Sequence, residues 1–393
     1  MAKIDDSVKK KVPELRFPGF TDDWEERKVK DIFKITRGQV LAATETSEEK
    51  SDISPFPVYS SQTKNNGLMG YYKDYLFDTA ITWTTDGANA GTVSYRSGRF
   101  YSTNVNGVLI SDKGYTNKAI SEILNLEAWK WVSHVGNPKL MNNVMGDISI
   151  MIPSSFEEQD RLSDFLNQLD DTIALHQRKL DLLKEQKKGY LQKMFPKNGA
   201  KVPELRFAGF ADDWEERKLG ELGSVAMNKR IFKDQTSEIG DIPFFKIGTF
   251  GGEADAYISR KLYEEYKQKY PYPKVGDILI SASGSIGRTV VYQGEEEYFQ
   301  DSNIVWLNHD ERLNNRFLKQ FYSIVTWQGL EGSTIKRLYN KNILETKISI
   351  PTPNEQEKIG LFFEKIDDTI DLHQFKLDLL KEQKKGFLQK MFV

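Results

Sequence analysis

The chain has 393 residues, no cysteine and a formal net charge of −2 at neutral pH. This length predicts two or more domains, and the lack of cysteine excludes a disulfide framework or a thiolate metal site. The charge balance argues against a uniformly basic nucleic-acid-binding surface, although it leaves room for local basic clusters. No apolar run approaches the roughly 18 residues that predict a membrane span.

Residues 1–10 are charged and lack an apolar core, so they predict a flexible lead-in and not a signal peptide. A signature segment follows, "KVPELRFPGFTDDWEERK" at Lys11–Lys28. It recurs as "KVPELRFAGFADDWEERK" at Lys201–Lys218, with 16 of 18 positions identical. The chain therefore contains an internal duplication.

A second repeat confirms the duplication: Leu169–Phe195 and Ile366–Phe392 match at 23 of 27 positions. In both copies, residues of the heptad seam recur at alternating steps of four and three, which predicts two long helices that pack against each other. An amphipathic helix packed only on its own domain is the alternative. The seam positions are Leu162, Leu166, Leu169, Ile173, His176, Leu180, Leu183, Lys187, Tyr190 and Met194, then Ile359, Phe363, Ile366, Ile370, His373, Leu377, Leu380, Lys384, Phe387 and Met391.

Each helix is predicted to begin with a capping box, Ser155 with Glu158 and Asn354 with Glu357. Between signature and helix the two halves differ almost completely, with short β-like runs punctuated by turn signals. The predicted class is α+β, with two mixed α/β domains and two long helices. The predicted boundaries are 1–10 for the lead-in, 11–153 for the first domain, 154–195 for the first helix, 196–200 for a linker, 201–351 for the second domain and 352–393 for the second helix.

These features together resemble the specificity subunit of type I restriction–modification enzymes. The resemblance rests on the doubled "WEERK" at Trp24–Lys28 and Trp214–Lys218, the paired "EQ" helix starts, the heptad helices, and "YSSQTKNNGLMGY" at Tyr59–Tyr71. It covers nearly the whole chain, from about Lys11 to Val393.

The resemblance implies that each variable region is a target-recognition domain that reads one half of a bipartite sequence in double-stranded DNA. It implies an antiparallel coiled coil that spaces the two domains, two methyltransferase subunits that methylate adenine, and motor–nuclease subunits for restriction. S-adenosylmethionine, ATP and magnesium would be bound by those partners, with no cofactor on this chain. The chain would be a non-catalytic, cytoplasmic subunit without a membrane partner.

A duplicated frame with unlike contents also fits this function on physical grounds. Two half-sites require two readers at a fixed separation, and two identical partners require two equivalent docking surfaces. If the helices pair antiparallel with aligned ends, their midpoints meet. We therefore predict that His176 and His373 lie side by side and fix the register. The alternative is that both histidines point into solvent or a partner.

Polar loop residues of the variable regions are the candidates for DNA contact. Asn and Gln suit adenine edges and Arg and Lys suit guanine, while exposed backbone amides suit phosphates. Ordinary surface loops are the alternative for any single residue. The candidates are Ser60, Ser61, Gln62, Thr63, Lys64, Asn65, Asn66, Thr84, Asp86, Asn89, Tyr101, Ser102, Thr103, Asn104, Lys139, Lys229, Arg230, Lys246, Ser283, Ser285, Arg288, Gln300, Ser302, Asn303, Thr334, Lys336 and Arg337.

Sequence motifs for catalysis are missing. There is no clustered metal-ligand set and no phosphate-binding loop of the G-x-x-x-x-G-K-[ST] type. "NPKL" at Asn137–Leu140 lacks the second proline and the aromatic residue of an adenine methyltransferase motif. Two other classes stay open at this point: a coiled-coil scaffold with two protein-binding heads, and an enzyme with an unrecognised fused activity.

Overall fold

The structure is a computed structural model that describes residues 11–61, 64–197, 199–330 and 336–392. The chain forms two units, one made of Met1–Gln177 with Phe375–Val393 and the other of Arg178–Gln374. Each unit thus combines one variable region with a part of both long helices. This division differs from the predicted boundaries because the helices share hydrophobic cores with the variable regions.

The first unit is built on a six-stranded sheet with the strand order β2-β7-β5-β6-β3-β4, and a separate pair β1-β8. Its pairings are antiparallel except for the parallel contact between β3 and β6. The strands are β1 (Glu25–Lys28), β2 (Lys34–Arg37), β3 (Phe56–Tyr59), β4 (Leu68–Tyr72), β5 (Phe77–Thr84), β6 (Val93–Ser102), β7 (Asn106–Ile110) and β8 (Ser149–Ile152). The helices are α1 (Val29–Ile32), α2 (Lys118–Ala128), α3 (Asn142–Asp147) and α4 (Phe156–Met194), of which the residues up to Gln177 belong to this unit.

The two faces of strand β5 have different surroundings. Ile81 and Trp83 are buried in the main core together with Ile120 of α2 and Leu162 of α4. Because successive side chains of a strand point to opposite faces, Thr82 and its neighbours with the same parity lie on the other face. That second face of β5 carries Thr82 and Thr84 and is therefore polar.

The second unit has a four-stranded sheet of order β10-β16-β13-β14, a three-stranded sheet β12-β11-β15 and the pair β17-β9. The strands are β9 (Glu215–Lys218), β10 (Gly223–Ala226), β11 (Ile242–Phe245), β12 (Tyr257–Ile258), β13 (Ile278–Ser281), β14 (Thr289–Val291), β15 (Tyr298–Phe299), β16 (Ile304–His309) and β17 (Lys347–Ile350). The helices are α5 (Leu219–Leu222), α6 (Arg260–Lys269), α7 (Asn315–Ile324), α8 (Asn340–Glu345) and α9 (Pro353–Met391). Residues of α9 from Phe375 onward belong to the first unit.

The duplicated signature segment closes each unit in the same way. Its last residues form β1 in the first unit and β9 in the second, and each pairs with the isoleucine-rich strand that precedes a long helix. The buried Trp24 packs against Phe392 with ring centroids 6.3 Å apart, and Trp214 packs against Phe195 at 6.0 Å. Each signature therefore holds the end of the long helix that the other half contributes to its unit.

A buried ion pair joins each signature to the start of a long helix. Arg16 binds both carboxylate oxygens of Glu158 at 2.7 Å, and Arg206 binds Glu355 with the same two distances. Both carboxylates are almost completely buried, with exposures of 1% and 0%. Because the hydrogen bond with Glu158 and the nearby carboxylate charge stabilise the cation, the pKa of Arg16 is raised despite partial burial.

The predicted capping boxes hold only in part. Ser155 Oγ accepts a hydrogen bond from Glu158 N at 3.4 Å, as expected of a cap. The Glu158 carboxylate, however, binds Arg16 and so is used for the ion pair. The prediction for the second helix is wrong, because α9 already begins at Pro353, which places Asn354 inside the helix. Proline is favoured at the first position of a helix, where its missing N–H costs no intrahelical hydrogen bond.

The long helices pack antiparallel within each unit. In the first unit Phe165 contacts Phe387 edge to face, with centroids 5.0 Å apart, and Lys384 Nζ lies 2.6 Å from Asp170 Oδ1. From the first contact to the second, residue numbers increase along α4 and decrease along α9, so the two helices run in opposite directions. The second unit repeats this arrangement through Lys187 with Asp367 and Tyr190 with Phe362. Mutual packing of the predicted helices is confirmed in these segments.

Candidate nucleic-acid interface

Both units place a cation at the same point of their frame. In the first, the turn after β5 forms a bridge between Asp86 and Lys139; in the second, the turn after β13 forms one between Ser283 and Arg337. Backbone bonds next to the bridges also correspond, from Leu140 N to the Thr85 carbonyl (2.9 Å) and from Leu338 N to the Ala282 carbonyl (2.8 Å). Lys139 and Arg337, both sequence candidates, therefore occupy equivalent and exposed positions.

A small charge cluster surrounds the first of these cations. The Asp86 carboxylate lies 3.8 Å from Lys139 Nζ and 3.7 Å from the guanidinium of Arg37, and it accepts a hydrogen bond from Thr85 Oγ1 at 2.7 Å. Two cations share one anion, so the cluster has a net positive charge. Asp86 is better explained as the residue that orients these cations than as a base reader. The sequence candidates did not include Arg37, whose place at the end of β2 gave no local signal.

A polar recess lies beside this cluster and contains five sequence candidates. These are Ser60, Ser61, Asn66, Thr84 and Asn89. The structure adds residues that the sequence reading missed, namely Gly67, Thr82, Thr92, Ser94, Arg96 and Asn106. A signal for some of them was available: Thr82 with Thr84 and Ser94 with Arg96 alternate along β5 and β6, which marks a polar face of the sheet.

The loop that borders the recess has an uncommon backbone. Asn65 and Asn66 adopt positive φ angles of 50° and 54°, the left-handed region in which asparagine is enriched. Both side chains are exposed. The candidates Gln62 and Thr63 lie outside the described residues, as does the side chain of Lys64.

Three adjacent candidates in the first unit are buried and require correction. Ser102 has no exposed surface, and Thr103 and Tyr101 are exposed by only 4% and 7%. Thr103 Oγ1 donates to Ser60 Oγ at 3.1 Å and Ser102 Oγ accepts from the Asn106 amide, so these groups support the recess from below. The prediction that Ser102 contacts DNA is wrong because the end of β6 is interior. Asn104 in the following turn is exposed.

In the second unit, three candidates meet at one amide oxygen. Asn303 Oδ1 accepts hydrogen bonds from Ser283 Oγ at 2.7 Å and from the Arg337 guanidinium at 3.1 Å. This arrangement fixes the position of Arg337 while leaving its side chain exposed. Lys336 next to it is exposed as well, and Thr334 lies outside the described residues.

The remaining candidates of the second unit differ in whether their side chains already form hydrogen bonds or ion pairs within that unit. The Gln300 amide oxygen accepts from Ile247 N at 2.9 Å, so this end of the side chain binds the loop that follows β11. Arg230 pairs with Asp301 at 2.9 Å, and Lys246 pairs with Asp255 at 2.8 Å. The other candidates are the loop residues Lys229, Ser285, Arg288 and Ser302, and the first three of these are exposed. Arg288 also donates a hydrogen bond to the Gly251 carbonyl. Ser302 has a positive φ angle.

The described ranges contain neither a cluster of metal ligands nor a helix that could span a membrane. Residues 11–61, 64–197, 199–330 and 336–392 contain no group of three or more His, Cys, Asp or Glu side chains arranged to hold a metal ion. In the same ranges, no helix is both long and apolar enough to cross a membrane.

Comparison with known proteins identifies the family. The model of the type I restriction modification DNA specificity domain matches this chain twice, at residues 21–185 and 211–382. The chain belongs to this family. As a DNA specificity protein of the type I class, it carries two copies of the specificity domain, one for each variable region.

Relatives of this family differ in how much they share with the chain. A putative type I restriction enzyme specificity subunit of Haemophilus influenzae is 59% identical over 151 residues, which are 38% of this chain and 39% of that protein. A putative type I specificity subunit of Mycoplasma pneumoniae is 26% identical over 384 residues, covering 93% of this chain and 96% of that protein. The family match, which names a DNA specificity domain, favours DNA recognition over the non-DNA scaffold.

Solved structures support the fold. A crystal structure of the specificity subunit of a type I restriction–modification system from M. genitalium aligns with a TM-score of 0.68 at 15% identity, over 97% of this chain and 99% of that one. At this identity the likeness concerns the fold alone. It agrees with the predicted α+β class.

Proposed function

We propose that this chain is the non-catalytic subunit that chooses the DNA target of a type I restriction–modification complex, with one half-site read by each variable region. The observation that carries the proposal is the equivalent bridge in the two units. The frame repeats, with Lys139 and Arg337 at the same point, while the neighbouring residues differ: Asp86 and Arg37 in one unit, Ser283 and Asn303 in the other. A shared frame with unlike side chains suits two half-sites of different sequence.

The partners we propose are two methyltransferase subunits that methylate adenine and motor–nuclease subunits that cut DNA. S-adenosylmethionine, ATP and magnesium would be bound by these partners, and the complex would act in the cytoplasm. The charge balance of the chain supports a complex in which the chain and its partners share the contacts with DNA. Lys and Arg do not outnumber Asp and Glu overall, at 55 against 57, so partners would supply much of the contact with DNA phosphates.

Exposed leucines on the long helices offer a surface for two identical partners. In the first unit Leu175 and Leu379 are 60% and 47% exposed, and in the second unit Leu372 and Leu182 are 50% and 52% exposed. Leu372 repeats Leu175, and Leu379 repeats Leu182. The same two positions of the repeat are therefore exposed in each unit. We propose that each pair contacts one methyltransferase subunit, since two copies of one partner require the same surface twice.

We further propose that the paired helices act as a ruler between the two readers. The predicted contact between His176 and His373 would fix its register, and it stays a prediction. Replacing both with leucine is expected to make a polar seam apolar, so that DNA sites with a changed spacer are accepted. Binding assays with spacers lengthened or shortened by one base pair check this expectation.

The proposed function is tested by mapping methylated adenines in cells that carry the methyltransferase partner with or without this chain. The expected result is one bipartite motif, methylated only when the chain is present. Methylation that is unchanged without the chain would contradict the proposal, as would a single continuous motif.

A further inference from the structure

One of the residues that line the recess in the first unit is a buried arginine. Arg96 is 6% exposed, its guanidinium carbon lies 3.8 Å from the centre of the Tyr59 ring, and its Nε donates to Thr82 Oγ1 at 3.3 Å. No carboxylate pairs with Arg96 within the described part of the chain. Burial lowers the pKa of Arg96, yet arginine starts so far above neutrality that the side chain stays charged.

The walls of the recess are polar throughout. Of the eleven described residues that line it, ten have a hydroxyl, amide or guanidinium group and one is Gly67, so neither an apolar side chain nor a carboxylate is among them. Its volume is about 80 Å³, well below the roughly 300–1,000 Å³ of clefts that hold whole small molecules. A small group rich in oxygen acceptors suits such a space.

A buried cation without an anionic partner is costly unless a ligand supplies the opposite charge. On DNA two groups offer acceptors to arginine, the phosphate and the guanine edge. A guanine edge lies at the floor of a groove about 8.5 Å deep, where a protruding side chain reaches it and a recessed one does not. Phosphates line the outside of the duplex, and one of them can enter a recess.

We propose that the recess at Arg96 binds one backbone phosphate within the half-site that the first variable region reads. This inference rests on the proposed function and gives the site its ligand class. Arg96 supplies the charge, Tyr59 and Thr82 hold the guanidinium in place, and the hydroxyls and amides of the walls donate to the remaining phosphate oxygens. The contact fixes the position of the unit on DNA and carries no sequence information of its own.

The test uses the complete complex of this chain with its methyltransferase partner and DNA that contains the mapped motif. Single phosphates of the first half-site are replaced, one at a time, by uncharged methylphosphonate. For the wild-type chain, one position is expected to weaken binding roughly ten- to hundredfold, the usual effect of a charge-assisted hydrogen bond. In the Arg96→Gln chain, the same replacement is expected to cause a much smaller loss, because only the contacts of the hydroxyls and amides remain.

Two variants serve as controls. Arg99 lies on the same strand but is exposed and pairs with Asp78 at 3.6 Å, so Arg99→Gln removes the same charge and should leave the sensitivity to methylphosphonate intact. Arg96→Lys keeps the charge but not the planar guanidinium, so its affinity and its sensitivity to methylphosphonate should lie between those of the wild-type and glutamine chains. If the glutamine chain does not fold, this reduced sensitivity is the readout. Loss of Arg96 is also expected to reduce the slope of log affinity against log salt by about one.

Three results would overturn the inference. One is a methylated motif that changes at a single base in the Arg96→Gln chain, which would mean that Arg96 reads a base. Another is a wild-type complex that binds its motif but is insensitive to methylphosphonate at every phosphate of the half-site. The third is a sensitive phosphate whose effect is as large in the Arg96 variants as in the wild-type chain. Failure of the proposed function is distinct, because the wild-type complex would then show no sequence-dependent binding at all.

Discussion

Lys384 of α9 forms an ion pair with Asp170 of α4 in the first unit, with 2.6 Å between Nζ and Oδ1. The second unit contains the repeat equivalents, Lys187 and Asp367, also at 2.6 Å. Each variable region adds a cation to its pair, Lys118 at 2.7 Å from Asp170 and Lys319 at 2.9 Å from Asp367. The two aspartates thus connect both long helices to the variable region of their unit.

Replacing either aspartate with asparagine is expected to destabilise its unit. Asp367→Asn leaves Lys187 and Lys319 with a weaker partner, whereas Asp170→Asn leaves Lys118 and Lys384 with Glu122, at 2.6 and 3.3 Å, as their remaining carboxylate. Each substitution should lower the free energy of unfolding by about 1–3 kcal/mol, with the smaller loss in the first unit. Urea denaturation followed by circular dichroism measures this loss. The neighbouring exposed residues provide controls, since Asp171→Asn and Asp368→Asn remove the same charge and should change little. Equal losses in test and control variants would count against the role assigned to the pairs.

The same aspartates predict a dependence on acid. Burial raises the pKa of Asp170, but hydrogen bonds and charges of Lys118 and Lys384 outweigh it and lower the pKa overall; Lys187 and Lys319 do the same for Asp367. A pKa that is lower in the folded than in the unfolded chain stabilises at neutral pH. This stability is lost as the pH falls from the unfolded value, near 3.9, through the folded one. The midpoint of urea unfolding should fall steeply there, and less steeply for the doubly substituted chain. Parallel curves for the two chains would refute this origin of the acid sensitivity.

A third prediction concerns the ion pair between Arg16 and Glu158. Glu158→Gln leaves a largely buried guanidinium without its anion, so the first unit should lose about 3 kcal/mol, near the lower end for breaking a buried pair. Thermal unfolding of the variant measures the loss. Glu157→Gln alters the exposed preceding residue and is the matched control. A Glu158→Gln chain as stable as this control would show that the duplicated signature does not depend on the pair.

Much of the fold could be read from the sequence, because the helices and the isoleucine-rich strands have strong periodic patterns. The ion pair of Asp170 with Lys384 could not, since Asp170 lies beside the heptad seam and not in it. Ser102 was predicted to be a reader although it is interior, because local polarity does not reveal which strand face meets a second layer. Arg96 is not among the predicted site residues, because an arginine in a strand usually indicates a solvent-exposed position. Only its packing against the Tyr59 ring shows that it is buried.

A fourth prediction concerns the exposed leucines. Leu175→Glu combined with Leu379→Glu places two charges on the proposed docking surface of the first unit. Native mass spectrometry of the assembled complex should then show one methyltransferase subunit in place of two, because a charge in an apolar interface is costly to desolvate. Val135→Glu is the control, since Val135 is 92% exposed and belongs to the loop between α2 and α3 rather than to a long helix. Retention of both subunits by the double variant would exclude this surface as the docking site.

The most direct test of the central claim, that each variable region reads its own half-site, exchanges residues 29–153 for the equivalent region of a relative with a different target. Adenine methylation is then mapped in cells that contain the hybrid chain and the methyltransferase partner. The predicted result is a motif with one new half-site, while the other half-site and the spacer length are retained, because the second variable region and both helices are unchanged. A hybrid that folds and methylates DNA but changes both half-sites, or neither, would contradict the claim.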